Sequence, residues 1–204
     1  MTAPAHRPLL VGLIGRAGAG KSTVSAYLEH EFAFEQVAFA DPIFAMVMAL
    51  FQAADVDENW AMERALKEKP TPVLGLSYRR LAQTLGTEWG RQVLGDDLWV
   101  RIAAHKAQQT LQMDLSVVIS DVRFPNEAAW ITGMGGVLVR VQRPDVERVH
   151  PHVSESHVIS LPQHHTLING GSFATLEDQV DRLVSELRTA PAAPARQLMD
   201  CNEE

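Results

Sequence analysis

The residues Gly15-Arg16-Ala17-Gly18-Ala19-Gly20-Lys21-Ser22 carry the spacing GxxxxGK[ST], and those residue types suit the capture of a polyphosphate. Glycines at 15, 18 and 20 let successive backbone N–H groups turn toward one point. A helix beginning at Lys21 adds the partial positive charge of its N-terminus. Lys21 is placed to reach β- and γ-phosphates, and the Ser22 hydroxyl to ligate a magnesium ion. Gly15, Ala17, Gly18, Ala19, Gly20, Lys21, Ser22 and Thr23 are therefore the candidate nucleotide-binding residues. The alternative is a glycine-rich strand-to-helix turn with no ligand. Against it stand the flanks: the apolar run Leu9–Ile14 before the loop and helical text from Thr23 to Leu28 after it.

Other candidates stand where apolar runs stop. Asp41 follows Glu35–Ala40, Asp121 follows Leu115–Ser120, Arg143 follows Val137–Gln142, and Asn169 follows Thr166–Ile168. Asp121 has the place of the magnesium-side acid of a phosphate-loop enzyme, with Arg123 two residues on; the alternative is a surface Asp–Arg pair of little worth. Asp41 can orient substrate or take part in metal or proton chemistry, or it can simply be a helix N-cap, since Asp-Pro before a helix is a common start. Arg80, Thr84, Thr87 and Arg91 are spaced 4, 3 and 4, which places them on one face of a continuous helix. Trp89 is a stacking platform or a core residue, and its size favours the core. Arg143 and Arg148 fall in an irregular stretch, 143–157, that suits a lid closing over phosphates or an ordinary charged loop. Five of the eight histidines lie between His150 and His165, but their spacing fits no zinc template.

The elements that must position these residues alternate in type. Strands are expected over 9–15, 35–40, 115–120, 137–142 and 166–168, and helices over 21–32, 43–53, 60–67, 77–85, 88–94, 96–113, 126–134 and 176–187. Ser77 reads as an N-cap. Gly86-Thr87 reads as a break, with Gly86 ending one helix and Thr87 capping the next. Such alternation predicts a mainly parallel sheet with helices on both faces. Ligands of that architecture bind beyond the carboxyl ends of the strands, so the loop at 15–22, Asp41, Asp121, Arg143 and Asn169 are expected in one crevice.

Bulk properties exclude more than they assign. The 204 residues suit one domain. A net charge of −7 argues against general nucleic-acid binding, although arginine outnumbers lysine 14 to 4 and rigid guanidinium forks suit phosphate clamps. The single cysteine, Cys201, permits no disulfide framework or cysteine zinc site within the chain. No run is long enough to span a membrane, the N-terminus has no signal pattern, and a cytoplasmic setting is expected. The expected organisation is one domain over 1–188, with a helical insert at 55–95, a lid at 143–157, and an Ala/Pro-rich disordered tail at 189–204.

Four stretches then converge on one resemblance. Leu81–Arg91 (LAQTLGTEWGR) with Asp97–Val100 (DLWV) resembles the central block of the deoxynucleoside monophosphate kinases of bacteriophages. Val118–Ala128 (VISDVRFPNEA) resembles their second block, His152–Glu155 (HVSE) a short block after it, and Phe39–Pro42 (FADP) another. The resemblance runs in order from about Leu10 to Leu187. It implies an α/β, three-layer P-loop NTPase fold of the nucleoside monophosphate kinase kind. It also implies ATP with Mg²⁺, phosphorylation of a deoxynucleoside 5′-monophosphate, a homodimer as one option, and the host cytoplasm if the gene is a phage's. Lys21, Asp41, Asp121, Arg123 and Arg143 become the implied catalytic group, Ser22 and Asp121 the metal ligands, and Asn169 a nucleotide contact. Asp41, Arg80, Gln83, Thr84, Thr87, Glu88, Trp89, Arg91, Arg123, His152 and Glu155 become the implied acceptor site. Ile43-Phe44 departs from the pattern, where an apolar residue and then lysine are expected. Two readings stand beside this one: another small-molecule kinase, of dephospho-coenzyme A or of a sugar, and a non-catalytic nucleotide sensor.

Overall fold

The computed structural model describes residues 7–144 and 160–190. In chain order these form β1 (Leu10–Ile14), α1 (Lys21–Phe32), β2 (Phe34–Val37), α2 (Asp41–Ala53), α3 (Asn59–Met62) and α4 (Tyr78–Gln83). A π-helix (Thr84–Leu94), α5 (Leu98–Gln112), β3 (Ser116–Val122), α6 (Pro125–Gly133), β4 (Val137–Gln142), β5 (His165–Ile168) and α7 (Phe173–Thr189) complete them. The chain divides into two compact units: one holds the residues up to Ala38 and from Ala104 onward, the other Phe39–Ala103.

The first unit is built on a five-stranded sheet in the order β2-β3-β1-β4-β5, every neighbouring pair parallel. The central strand β1 is buried at each of its five residues, which is why it reads as an unbroken apolar run instead of an alternating one. On one face Val11, Leu13, Val118, Val139 and Val141 gather with Val24 and Leu28 of α1 and with Leu176, Val180 and Leu183 of α7. Each such side chain contributes roughly 1.5–3 kcal/mol by leaving water. On the other face α6 approaches so closely that a Cβ on Gly12 would stand 2.6 Å from Cδ1 of Ile131. The result is the expected three-layer α/β arrangement. Tyr27 ties α1 to α7 by donating to Asp181 Oδ1 at 2.9 Å, and that bond pushes its phenol up to about 12.

Register sets the carboxyl ends of β1 and β3 level, with β4 and β5 running on beyond them. Ile14 pairs with Val122 on one side and Arg140 on the other, and Gln142 pairs with Ile168. β3 continues past the expected stop to Val122, so Asp121 lies inside the strand. There the pairing slips: Gly12 faces Ile119 and Ile14 faces Val122, which leaves one extra residue in β3 at Ser120-Asp121. A bulge of this kind re-aims side chains.

The second unit is helical, around Val47, Phe51 and Ala61 with Trp60, Leu74, Tyr78, Leu81 and Leu85 against them. The Ser77 cap is as expected, its hydroxyl accepting from Arg80 N at 3.2 Å. The helical piece expected over 60–67 is only Asn59–Met62, followed by turns. The expected break at Gly86-Thr87 does not occur. The chain runs on as a π-helix, whose N–H groups bond five residues back, and the left-handed glycine that ends it is Gly95, at φ 126°. Gly86 and Gly90 are glycine for a different reason. A Cβ at 86 would stand 2.9 Å from Ile43 Cδ1, and one at 90 would collide with the indole of Trp99.

Candidate active site

In the sheet unit, the loop after β1 is a cradle held from outside. A Cβ on Gly15 would stand 2.5 Å from the Val141 carbonyl oxygen, so only glycine lets the chain pass β4 there. Gly20, at φ 105°, is the N-cap of α1. A Cβ at Gly20 would collide with the Asn169 amide, which donates from Nδ2 to the Ala19 carbonyl at 2.9 Å. Asn169 is itself fixed at the end of β5, its N–H donating to Gln142 O at 2.7 Å. Lys21 Nζ donates to the carbonyls of Gly15 at 2.6 Å and Arg16 at 3.0 Å. The Lys21 ammonium and the N–H groups at the start of α1 are the kind of donors that would suit a polyphosphate oxygen.

The β3 end carries Asp121 and Arg123 at the same edge of the sheet, because Val122 is level with Ile14. Asp121 is half-buried and Arg123 exposed. The turn after them is set by Glu127, only 2% exposed. Its Oε2 accepts the backbone N–H of Arg123 at 2.7 Å and of Phe124 at 3.0 Å. The acid thus closes the first turn of α6 from inside, the reaching-back half of a capping box. Arg143 follows β4 at the same edge and is exposed. Of the five positions expected in one crevice, the loop, Asp121, Arg143 and Asn169 share this edge; Asp41 belongs to the helical unit.

In that unit Asp41 is the first residue of α2, and the cap position is Ala40; the capping alternative for Asp41 therefore falls away. Arg80 on α4 pairs with Glu88 across 3.1 Å. Arg91 donates from Nη1 to the Asp96 carbonyl at 3.1 Å. The expected single face through Arg80, Thr84, Thr87 and Arg91 required α-helical spacing. A π-turn advances roughly 80° per residue instead of about 100°, which keeps Thr87 with Arg91 but turns Thr84 toward Glu88. Gln83 is exposed on the last turn of α4. Trp89 is not core: it is 40% exposed, with its ring centroid 6.4 Å from that of Trp99. Trp99 occupies the interior instead, at 2% exposure, its indole N–H donating to Gly86 O at 2.7 Å. Phe44, where lysine was expected, lies edge-on to Tyr78 at 6.2 Å, and Lys67 Nζ lies 5.5 Å from the centre of that same ring. Burial raises the Tyr78 phenol above its usual value.

His152, Glu155 and Arg148 lie outside the described residues, as do most of the 143–157 lid and the tail from 191 on. Among the described residues no group of three or more His, Cys, Asp or Glu side chains could hold a metal ion, and no helix is long and apolar enough to cross a membrane. The residues that sequence reasoning missed are Glu127 and Trp99. For Glu127 the signal was there, an acid at the third residue after a strand-end turn and Pro125. Trp99 gave none, because its partner Gly86 reads locally as a break.

Comparison with known proteins adds the following. Residues 73–180 match the deoxynucleotide monophosphate kinase family. A protein of Acanthamoeba polyphaga mimivirus, assigned as a deoxynucleotide monophosphate kinase, is 31% identical over 187 residues, covering 87% of this chain and 95% of that one. The deoxynucleoside-5′-monophosphate kinase of Escherichia phage T5 is 34% identical over 113 residues, 50% of this chain and 43% of that protein. Among solved structures, a dephospho-CoA kinase from Campylobacter jejuni superposes with a TM-score of 0.47 at 12% identity, over 90% of this chain and all of the other.

Proposed function

The chain belongs to the deoxynucleotide monophosphate kinase family, and we propose that it transfers the γ-phosphate of ATP to a deoxynucleoside 5′-monophosphate, releasing ADP and the deoxynucleoside diphosphate. The observation that carries this reading is the cradle between β1 and α1, glycine-lined, closed by Asn169 and headed by Lys21. ATP is the donor, its β- and γ-phosphates lying against the loop N–H groups and the Lys21 ammonium. An oxygen of the acceptor's phosphate dianion forms the new bond to the γ-phosphorus. The bond from that phosphorus to the bridging oxygen breaks, and ADP leaves. The attacking oxygen carries no proton, so the reaction asks the protein for alignment and charge neutralisation before acid–base work.

The Ser22 hydroxyl and Asp121 carboxylate are hard oxygen donors of the kind Mg²⁺ takes, and we assign them to that ion. When bound it neutralises charge on the β- and γ-phosphates. Acceptor binding is assigned to the helices within 55–95. Arg91 and Arg80 hold the monophosphate, while Gln83, Thr84, Thr87, Glu88, Trp89 and Asp41 surround the rest of the nucleotide. Arg123 and Arg143 bridge toward the transferring group, and the 143–157 segment, with His152 and Glu155, serves as the lid. We place the reaction in the cytoplasm, where ATP and deoxynucleotides are found, with a homodimer as the assembly to test by sedimentation. Replacing Lys21 by alanine tests the reading at its centre. The expected result is turnover lost by at least a hundredfold with an unchanged thermal midpoint, because the charge acts on the transferring group; near-normal turnover in the variant overturns the assignment.

A further inference from the structure

We propose that Trp99 is a positioning residue, which holds residues 84–94 in the π-register and thereby fixes the face on which Arg91 meets the acceptor phosphate. The proposal rests on the assignment of Arg91 to the acceptor site and adds to it what sets that arginine's direction.

Two glycines stand four residues apart in this helix, at 86 and 90. In an α-helix the Gly86 carbonyl accepts the N–H of Gly90. Here the indole N–H of Trp99 donates to that same carbonyl at 2.7 Å, in a buried setting. The body of the ring fills the space that a Cβ on Gly90 would need. One side chain thus bonds the acceptor of the α-helical pair and packs against the residue that carries its donor, and so props that turn open. A side chain inserted into the ladder is a recognised cause of helix distortion, and a wide turn is the form the distortion takes here. The last bond of the wide register runs from Gly95 N–H to the carbonyl of Gly90, the residue the ring packs against, at 3.1 Å. The wedge is itself fixed by the turn between the helices. Leu98 N–H donates to Gly95 O at 3.1 Å, and Arg91 Nη1 donates to Asp96 O in the same turn. Trp99 and the Arg91 fork are therefore referenced to one short piece of backbone.

Register decides direction. With about 100° per residue in one form and roughly 80° in the other, seven residues from Thr84 to Arg91 accumulate a difference of roughly 140° about the helix axis. Such a rotation takes the fork from one side of the helix toward the opposite one. The pairing of Arg80 with Glu88 belongs to the wide register too, since it leaves Arg91 on a separate face from that ion pair.

Trp99→Phe is the test, because it keeps an aromatic side chain in the interior while deleting the indole N–H and the part of the indole that lies against Gly90. A second variant, Gly90→Ala, keeps the indole and denies it its place. The acceptor KM of either variant is expected to rise about tenfold, the equivalent of ~1.4 kcal/mol for one buried hydrogen bond, while the ATP KM stays within about twofold. A crystal structure of Trp99→Phe is expected to show the Gly86 carbonyl bonded to the N–H of Gly90. An unchanged acceptor KM in both variants, or equal losses for both substrates, overturns the proposal. So does a structure in which 84–94 stay π-helical without the indole bond. If the wild-type protein turns over no monophosphate, the functional reading fails, and the crystal structure still decides whether Trp99 sets the register.

Discussion

Removing the Glu127 carboxylate should cost the sheet unit both stability and catalysis. Its Oε2 accepts two backbone N–H groups, from Arg123 at 2.7 Å and Phe124 at 3.0 Å. Hydrogen bonds to a charged acceptor are worth about 1.5–3 kcal/mol each, so the pair has an upper bound of roughly 3–6 kcal/mol by the same measure. Arg123 is exposed, and its amide can regain a water when the acid is removed. The Phe124 amide sits in a half-buried position and regains less. The discounted expectation for Glu127→Ala is a loss of about 2–3 kcal/mol, somewhat above an ordinary helix cap. Glu127→Gln keeps one acceptor oxygen and the side-chain volume but loses the charge, so it should lose only about 1 kcal/mol. Urea denaturation of the three proteins reads the order directly, provided that the m-values agree. Turnover should fall in the alanine variant more than stability alone accounts for, because Arg123 is carried on the turn that Glu127 closes, directly after the strand that holds Asp121. A loss under 1 kcal/mol in Glu127→Ala, or a glutamine variant as unstable as the alanine one, would refute the reasoning about this cap.

Other expectations follow from the same geometry. Gly20→Ala combines a left-handed φ of 105° with a Cβ directed into the Asn169 amide, so it should weaken ATP binding by at least tenfold and lower the thermal midpoint; calorimetric titration with ATP checks it. Arg91→Ala should weaken monophosphate affinity by about 2 kcal/mol and move ATP affinity far less, and separate titration of the two ligands reads the difference. Truncation after Ala190 should leave turnover and thermal midpoint unchanged. The helix α7 reaches Thr189 with Leu187 buried, whereas the sequence beyond it has too few apolar residues to bury a core.

Local structure is legible where the local sequence writes it. The loop at 15–22 carries its own glycines and flanks, and α1 begins and ends where its text does. Val137–Gln142 is a strand at the bounds its β-branched run indicates. What local text hides is long-range. Gly86 resembles a helix stop because a glycine has few local reasons to sit mid-helix; its reason is Ile43, and that of Gly90 is Trp99, nine residues on. The bulge at Ser120-Asp121 exists only in relation to Gly12 and Ile14 of another strand. Size alone points Trp89 inward, yet it is Trp99 that takes the interior and Trp89 that faces out. Asn169 was read as a nucleotide contact from its place after a strand, and the structure adds that its amide closes the loop through Ala19.

The central claim is that this chain phosphorylates deoxynucleoside monophosphates. ADP production coupled to a fluorescent readout, run against the four deoxynucleoside 5′-monophosphates, their ribose counterparts, dephospho-coenzyme A and a panel of sugars, tests it most directly. The account predicts ADP release that depends on at least one deoxynucleoside monophosphate, with one diphosphate formed per ADP. ATP binding without monophosphate-dependent ADP, or turnover with dephospho-coenzyme A or a sugar in its place, would contradict it.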